Sequence, residues 1–108
     1  MPAFLCRYTK TITLAAGVAQ DVHVPIDGAR AWCIVVKNTG ATNDVTALSL
    51  YRSPLGTLFG PATAVTAGIP LAHGDALEVR GEHEPLTTLR LTLTSTSGTT
   101  VSLEAAGW

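Results

Sequence analysis

The fold class is decided by residues 89–105, which read LRLTLTSTSGTTVSLEA. Apolar and polar residues alternate on both sides of a short polar centre. The alternating apolar positions are Leu89, Leu91, Leu93, Val101, Leu103 and Ala105. A period of two is typical of a half-buried strand. Pairing Leu91 with Leu103 puts every apolar residue on one face and leaves a three-residue loop ending in Gly98, which suits the left-handed conformation needed there. This stretch therefore predicts an antiparallel hairpin.

The same period of two recurs upstream of the predicted hairpin. Strands are predicted at 8–14, 18–24, 31–37, 45–52 and 76–80, with a weaker one in 57–66 anchored by Phe59 and Val65. Segment 31–37 is apolar on both faces, which predicts a central strand covered on both sides. Seven or eight short strands separated by turns indicate an all-β fold, an antiparallel β-sandwich of jelly-roll or immunoglobulin-like topology. We expect a single domain, 1–108, with residues 1–7 as a candidate N-terminal arm.

The composition limits the kinds of partner. The 108 residues carry 7 basic and 8 acidic side chains, a net charge of −1 and a charged share of 14 %, against about 25 % in typical domains. The apolar share of 46 % excludes a disordered chain. The near-zero charge argues against nucleic acid or an anionic membrane as partner. A threonine-rich, lysine-poor surface is unusual for a free monomer, so we expect other protein to cover it.

Targeting signals and cysteine usage bear on the compartment. The first ten residues lack a basic region followed by a long apolar stretch, so no secretory signal is expected. The longest apolar run, 31–36, is far below the roughly 18 residues of a membrane span. Cys6 and Cys33 are interpreted as reduced, packed thiols. We expect the protein to stay in the cytoplasm unless it leaves within a larger particle.

Histidines and carboxylates are the first candidates for chemistry. His73-Gly74-Asp75 and Glu82-His83-Glu84 offer imidazoles and carboxylates of the kind that bind metals. Both segments adjoin glycine or proline and are interpreted as exposed turns, while His23 is interpreted as a solvated surface residue. No metal or cofactor is expected.

Catalytic motifs give no candidate either. Gly-x-Ser-x-Gly, P-loop, dinucleotide-binding and EF-hand patterns do not occur. A glycosidase needs two carboxylates across a cleft, and the acidic residues of a small sandwich are usually solvated. No catalytic residue is assigned, and the chain is not expected to be an enzyme.

Candidate partner-binding residues lie on strand faces and at the termini. Threonine loses little rotamer freedom on burial, so a threonine-paved face suits subunit contacts, although threonine is also simply a good strand former. Two such faces are predicted: one is formed by Thr9, Thr11 and Thr13, and the other by Arg90, Thr92 and Thr94 with Ser102 and Glu104. The terminal Trp108 could fray, close the core or anchor a neighbouring subunit. The partner-binding candidates are Phe4, Leu5, Thr9, Thr11, Thr13 and Trp108.

Three segments resemble a known kind of protein. They are 51–61 (YRSPLGTLFGP), 86–92 (LTTLRLT) and 97–101 (SGTTV). These turn and strand motifs resemble the small all-β virion proteins of tailed bacteriophages, in particular head decoration (cement) proteins, over roughly residues 12–104. The resemblance implies a β-sandwich or β-barrel that binds the outside of an assembled capsid, often as a trimer, and reinforces the shell. It carries over no catalytic residue.

The partner implied by this resemblance is the major capsid protein lattice, and the implied location is the capsid surface, after assembly in the host cytoplasm. Two alternatives stay open from the sequence. One is a structural protein of the phage tail or neck. The other is a carbohydrate-binding β-sandwich module, for which Trp108 is the candidate stacking residue.

Overall fold

The computed structural model describes residues 6–83 and 86–108. The strands in this part of the chain are β1 (Cys6–Leu14), β2 (Gln20–Pro25), β3 (Ala31–Asn38), β4 (Ala47–Ser53), β5 (Thr63–Ala64), β6 (Ala76–Glu82), β7 (Thr88–Thr94) and β8 (Thr99–Gly107). Each segment predicted as a strand contains one, so the all-β class is confirmed. Among these described residues there is no helix with the length and apolarity to span a membrane.

The strands form two four-stranded antiparallel sheets. Sheet I has the order β1-β8-β3-β6, and sheet II has the order β2-β7-β4-β5. The strands pair as β1 with β8, β2 with β7, β3 with β6 and β4 with β5. This is the order produced when one long hairpin is wrapped into two sheets, and it is a jelly roll rather than an immunoglobulin-like sandwich.

The predicted hairpin pairing of β7 with β8 is wrong. Leu91 pairs with Val22 and Leu50 in sheet II, whereas Leu103 pairs with Lys10 and Val36 in sheet I. The two strands face each other across the core, so their apolar residues still point inward. Alternation identifies the core-facing side chains, but it does not identify the backbone partner. The turn glycine is as predicted, because Gly98 has a φ of 85°.

The core lies between the sheets and is built from the alternating residues. Its largest fully buried side chain is Trp32 on β3, which packs under Gly81 on β6. A Cβ atom at Gly81 would come within 2.6 Å of the Trp32 ring. The predicted strand 18–24, with Val18 facing the core, begins too early. Val18 is 54 % exposed, because β2 begins only at Gln20 and Val18 belongs to the preceding turn.

One end of the sandwich is tied together by a buried asparagine. The side-chain amide nitrogen of Asn38 donates to the carbonyl oxygens of Asn43 (2.8 Å) and Leu71 (2.9 Å). Its oxygen accepts from the Gly40 amide (3.1 Å) and the Thr99 hydroxyl (2.8 Å). These four bonds use both donors of the amide and both lone pairs of its oxygen. Asn38 therefore connects two loops, the one between β3 and β4 and the one between β5 and β6, with the start of β8.

Candidate functional site

The outer face of sheet I carries most of the predicted partner-binding residues. Thr9, Thr11 and Thr13 lie on this face of β1, and all three are exposed. Trp108 continues β8, because it exchanges two backbone hydrogen bonds with Ala31, and strand alternation puts its side chain on the same face. The remaining candidates, Phe4 and Leu5, lie outside the described residues. The fold thus brings four candidates onto one surface.

The strand registers arrange this face into rows that cross all or most of its four strands. Each row is named here after one member. The Cys33 row contains Arg7, Ala106, Cys33 and Arg80. The Val35 row contains Thr9, Glu104, Val35 and Glu78. The Lys37 row contains Thr11, Ser102, Lys37 and Ala76. The Trp108 row contains Trp108, Ala31 and Glu82.

A shallow depression lies across the Cys33 and Val35 rows and has a volume of about 470 Å³. It is lined by Arg7, Tyr8, Thr9, Cys33, Val35, Glu104, Ala105 and Ala106. Segment 31–37 was predicted to be covered on both sides. The structure confirms that β3 is central, but Cys33 and Val35 stay only half-buried because no described residue covers this outer face. The centre of the face is therefore apolar and open.

Cys33 has an environment that keeps its thiol protonated. Burial raises the pKa of the Cys33 thiol, and the negative charge of Glu78 raises it further. Cys33 and Cys6 are both free thiols, as the sequence predicted. Cys6 points into the core, whereas Cys33 points outward. Side chains on opposite faces of a sheet do not reach disulfide distance.

The outer face of sheet II holds residues that the sequence placed elsewhere. Arg90, Thr92 and Thr94 were predicted to share a face with Ser102 and Glu104. Their outward side chains instead lie on sheet II, and Ser102 and Glu104 join the threonines of β1. The cause is the separation of β7 and β8 into different sheets. The threonine paving therefore covers two surfaces on opposite sides of the molecule.

A cation contacts two aromatic rings on the outer face of sheet II. The guanidinium carbon of Arg90 lies 4.1 Å from the centre of the Tyr51 ring and 4.7 Å from that of Phe59. The Phe59 ring also meets His23 edge-on, with 5.5 Å between the ring centres. His23 is exposed, as predicted, but it is also a contact for Phe59. Phe59 anchors its segment to the outside of the sheet.

The segment anchored by Phe59 is the loop between β4 and β5, and it presents two exposed leucines. Leu55 is 81 % exposed and Leu58 is 82 % exposed. Three contacts brace the loop. The Gly56 amide donates to the hydroxyl of the buried Ser53 (2.7 Å), the Gly60 amide donates to the carbonyl of Arg52 (2.9 Å), and Phe59 stacks on Arg90. Neither leucine was among the predicted partner-binding residues, although apolar residues inside a proline- and glycine-rich turn are a visible signal.

Metal-binding groups do not cluster in the described structure. Within residues 6–83 and 86–108, no three histidine, cysteine, aspartate or glutamate side chains lie close enough to hold a metal ion. The His83 side chain is 82 % exposed and lies 3.7 Å from the Glu82 carboxylate. Glu84, the third member of that segment, lies outside the described residues.

Neither protein-family models nor curated protein sequences give a match to the chain. Solved structures share its fold. The mitogen of Yersinia pseudotuberculosis is 15 % identical with a TM-score of 0.55, covering 95 % of this chain and 86 % of its own. A chitosan-binding module of a Paenibacillus sp. IK-5 chitosanase/glucanase is 14 % identical with a TM-score of 0.57, covering 90 % and 76 %. The infectious bursal disease virus VP2 subviral particle is 14 % identical with a TM-score of 0.51, covering 98 % and 34 %. Each likeness concerns the fold alone.

Proposed function

We propose that this protein is a non-catalytic structural subunit of a phage virion, a decoration protein that binds the outside of an assembled capsid and stabilises it. The observation that carries the proposal is the braced loop between β4 and β5. Leu55 and Leu58 are more than four-fifths exposed, and they stand on a loop held by Ser53 and Phe59. Apolar side chains fixed in solvent are typical of a contact surface for another protein.

The loop is suited to a shell because its conformation is set before binding. A preorganised loop loses little conformational entropy when it docks. Burying one leucine side chain contributes roughly 1.5–3 kcal/mol. A subunit that binds the assembled lattice and not its free subunits stabilises the lattice by its binding free energy, summed over many copies. The resemblance of segment 51–61, which contains most of this loop, to head decoration proteins supports the same assignment.

Binding to purified heads tests the proposal. Under this proposal, heads assembled from the major capsid protein of the same phage are incubated with the protein, pelleted and melted. We expect saturable, stoichiometric co-sedimentation and a higher melting temperature of the heads. The double variant Leu55→Ser, Leu58→Ser should bind at least about 100-fold more weakly, since roughly 3 kcal/mol of burial is lost.

The matched control is Val18→Ser, which removes an apolar side chain 54 % exposed in a different loop. It should bind heads like the parent chain. If the protein neither co-sediments with the heads nor changes their melting temperature, the proposal is wrong. Particle images that place the protein in the tail or neck contradict the decoration role and support the tail assignment.

Carbohydrate binding is the second candidate, and Trp108 is the observation that favours it. Its side chain stands on the open face of sheet I, one row from the depression at Cys33. Exposed aromatic rings beside such a surface can stack on sugars. Retardation on a polysaccharide gel that is lost in Trp108→Ala would favour this reading, whereas equal mobility with and without polysaccharide excludes the glycans used.

A further inference from the structure

The charges on the outer face of sheet I follow an antisymmetric pattern. Along the strands, the Trp108 row carries one negative charge (Glu82), the Cys33 row two positive (Arg7, Arg80), the Val35 row two negative (Glu104, Glu78) and the Lys37 row one positive (Lys37). Reflection about the line between the Cys33 and Val35 rows therefore exchanges the net charge of each row for its opposite. The net charge of the face is zero.

The middle of the same face is apolar. Cys33, Val35 and Ala106 are half-buried and line the depression, and Trp108 and Ala31 lie in the adjacent row. An apolar centre with charges toward the edges is the usual anatomy of a protein interface. The face is also wide. Four strands spaced about 4.8 Å apart, each of up to nine residues rising about 3.3 Å per residue, cover roughly 20 by 30 Å. The contoured surface of this area approaches the ~800 Å² that each partner buries in a stable complex.

We propose that this face pairs with the same face of a second copy of the chain. The twofold axis runs across the strands, between the Cys33 and Val35 rows. Rotation about it lays the Cys33 row of one copy on the Val35 row of the other, and the Lys37 row on the Trp108 row. An antisymmetric charge pattern suits a contact in which one patch meets itself, because each row then faces a row of opposite net charge.

Specific contacts follow from this rotation. Arg80 comes opposite Glu78 of the second copy, so the ion pair that these two residues already form within β6 becomes part of a four-charge cluster. Arg7 and Glu104 of the second copy lie over Thr9 and Ala106 of the first copy. These positions border the depression of the first copy, and the two long side chains fill that depression. Lys37 of one copy lies opposite Ala31 of the second copy, next to Glu82 of that second copy.

A twofold pair differs from the trimer that the resemblance implies, and it does not depend on the capsid. The loop carrying Leu55 and Leu58 follows β4 of sheet II and stays outside this contact. Loss of pairing and loss of head binding are therefore separable. Mass measurement tests the first, and co-sedimentation tests the second.

The experiment is light scattering after size-exclusion chromatography, with a charge swap. The parent chain should elute at twice its mass of 11.2 kDa. Lys37→Glu and Glu82→Lys should each shift the equilibrium toward monomer at least tenfold. The double variant Lys37→Glu, Glu82→Lys should restore the dimer. Within one copy these residues lie three rows apart, about 20 Å along the strands, so their mutual rescue reports a contact between copies.

Asp21→Lys is the control, because it makes the same charge change at an exposed carboxylate on sheet II and should leave the dimer intact. Val35→Lys, a change at the half-buried centre of the face, should give a folded monomer. A parent chain that is monomeric or trimeric overturns the proposal. So do single variants that stay dimeric, and a charge-swapped double variant that stays monomeric.

Discussion

The guanidinium carbon of Arg90 lies 4.1 Å from the centre of the Tyr51 ring, and these two residues are paired on the neighbouring strands β7 and β4. The same guanidinium carbon lies 4.7 Å from the centre of the Phe59 ring. Tyr51 belongs to the sheet, whereas Phe59 belongs to the loop that follows it. The cation therefore links a rigid strand to the loop that presents Leu55 and Leu58.

Replacing Arg90 by alanine should loosen that loop. A cation–π contact contributes about 0.5–1 kcal/mol when exposed and about 2 when desolvated, so we expect the free energy of unfolding to fall by roughly 1–2 kcal/mol. Limited proteolysis should then cut within 54–62. Urea unfolding and mass analysis of the fragments measure both effects. Arg30→Ala, in the exposed turn before β3, is the control and should change neither. An Arg90→Ala protein with unchanged stability and protease resistance would show that the stack does not brace the loop.

Gly81 should be intolerant of any side chain. A Cβ atom there would come within 2.6 Å of the buried Trp32 ring, so the indole or the β6 backbone must move. Overpacking of this kind costs about 1–3 kcal/mol. We expect Gly81→Ala to unfold at correspondingly lower urea. Gly60→Ala is the matched control, since a Cβ atom there meets only the Arg52 carbonyl oxygen at 3.7 Å. Equal midpoints for the two variants would contradict the packing described for Trp32.

Asn38→Asp should destabilise the end of the sandwich. The carboxylate cannot donate to the carbonyl oxygens of Asn43 and Leu71, so two buried acceptors face a negative charge. Removing one partner of a buried hydrogen bond costs about 1–3 kcal/mol, and we expect a loss of at least about 3 kcal/mol at neutral pH. Thermal unfolding measures it. Thr39→Ala, at the exposed neighbouring residue, should be nearly neutral. If the aspartate variant is more stable at neutral than at acidic pH, the interpretation is wrong.

The strands could be read from the sequence because their information is local. Alternation at Leu89, Leu91 and Leu93 identifies both a strand and its buried face without reference to any partner. The order of strands could not be read in the same way. Thr9 pairs with Glu104, 95 positions away, and the alternation of β8 fits either sheet equally well. Topology therefore depends on how the whole chain wraps.

The candidate site was predictable to a similar degree. Alternation sufficed to place Thr9, Thr11 and Thr13 on one outer face, but not to give them their neighbours on β8, β3 and β6. The charge pattern exists only once these registers are known, because Glu78, Glu104 and Arg7 come from three distant segments. The turn that holds Leu55 was visible in the sequence, but the bracing of its loop was not, since Phe59 contacts Arg90 on another strand.

The thiol of Cys33 should respond to its neighbour on β6. Burial raises the pKa of Cys33, and the charge of Glu78 raises it further, so the thiol is less ionised than a free cysteine at a given pH. Removing that charge in Glu78→Gln lowers the pKa, increases the thiolate fraction and should accelerate alkylation by iodoacetamide severalfold at pH 8. The rate profile should shift to lower pH. The comparison uses the Lys37→Glu background, in which the proposed pairing does not cover Cys33. Glu82→Gln is the control, because Glu82 also lies one row from Cys33. An equal rate increase in this variant would show that Glu78 has no specific effect.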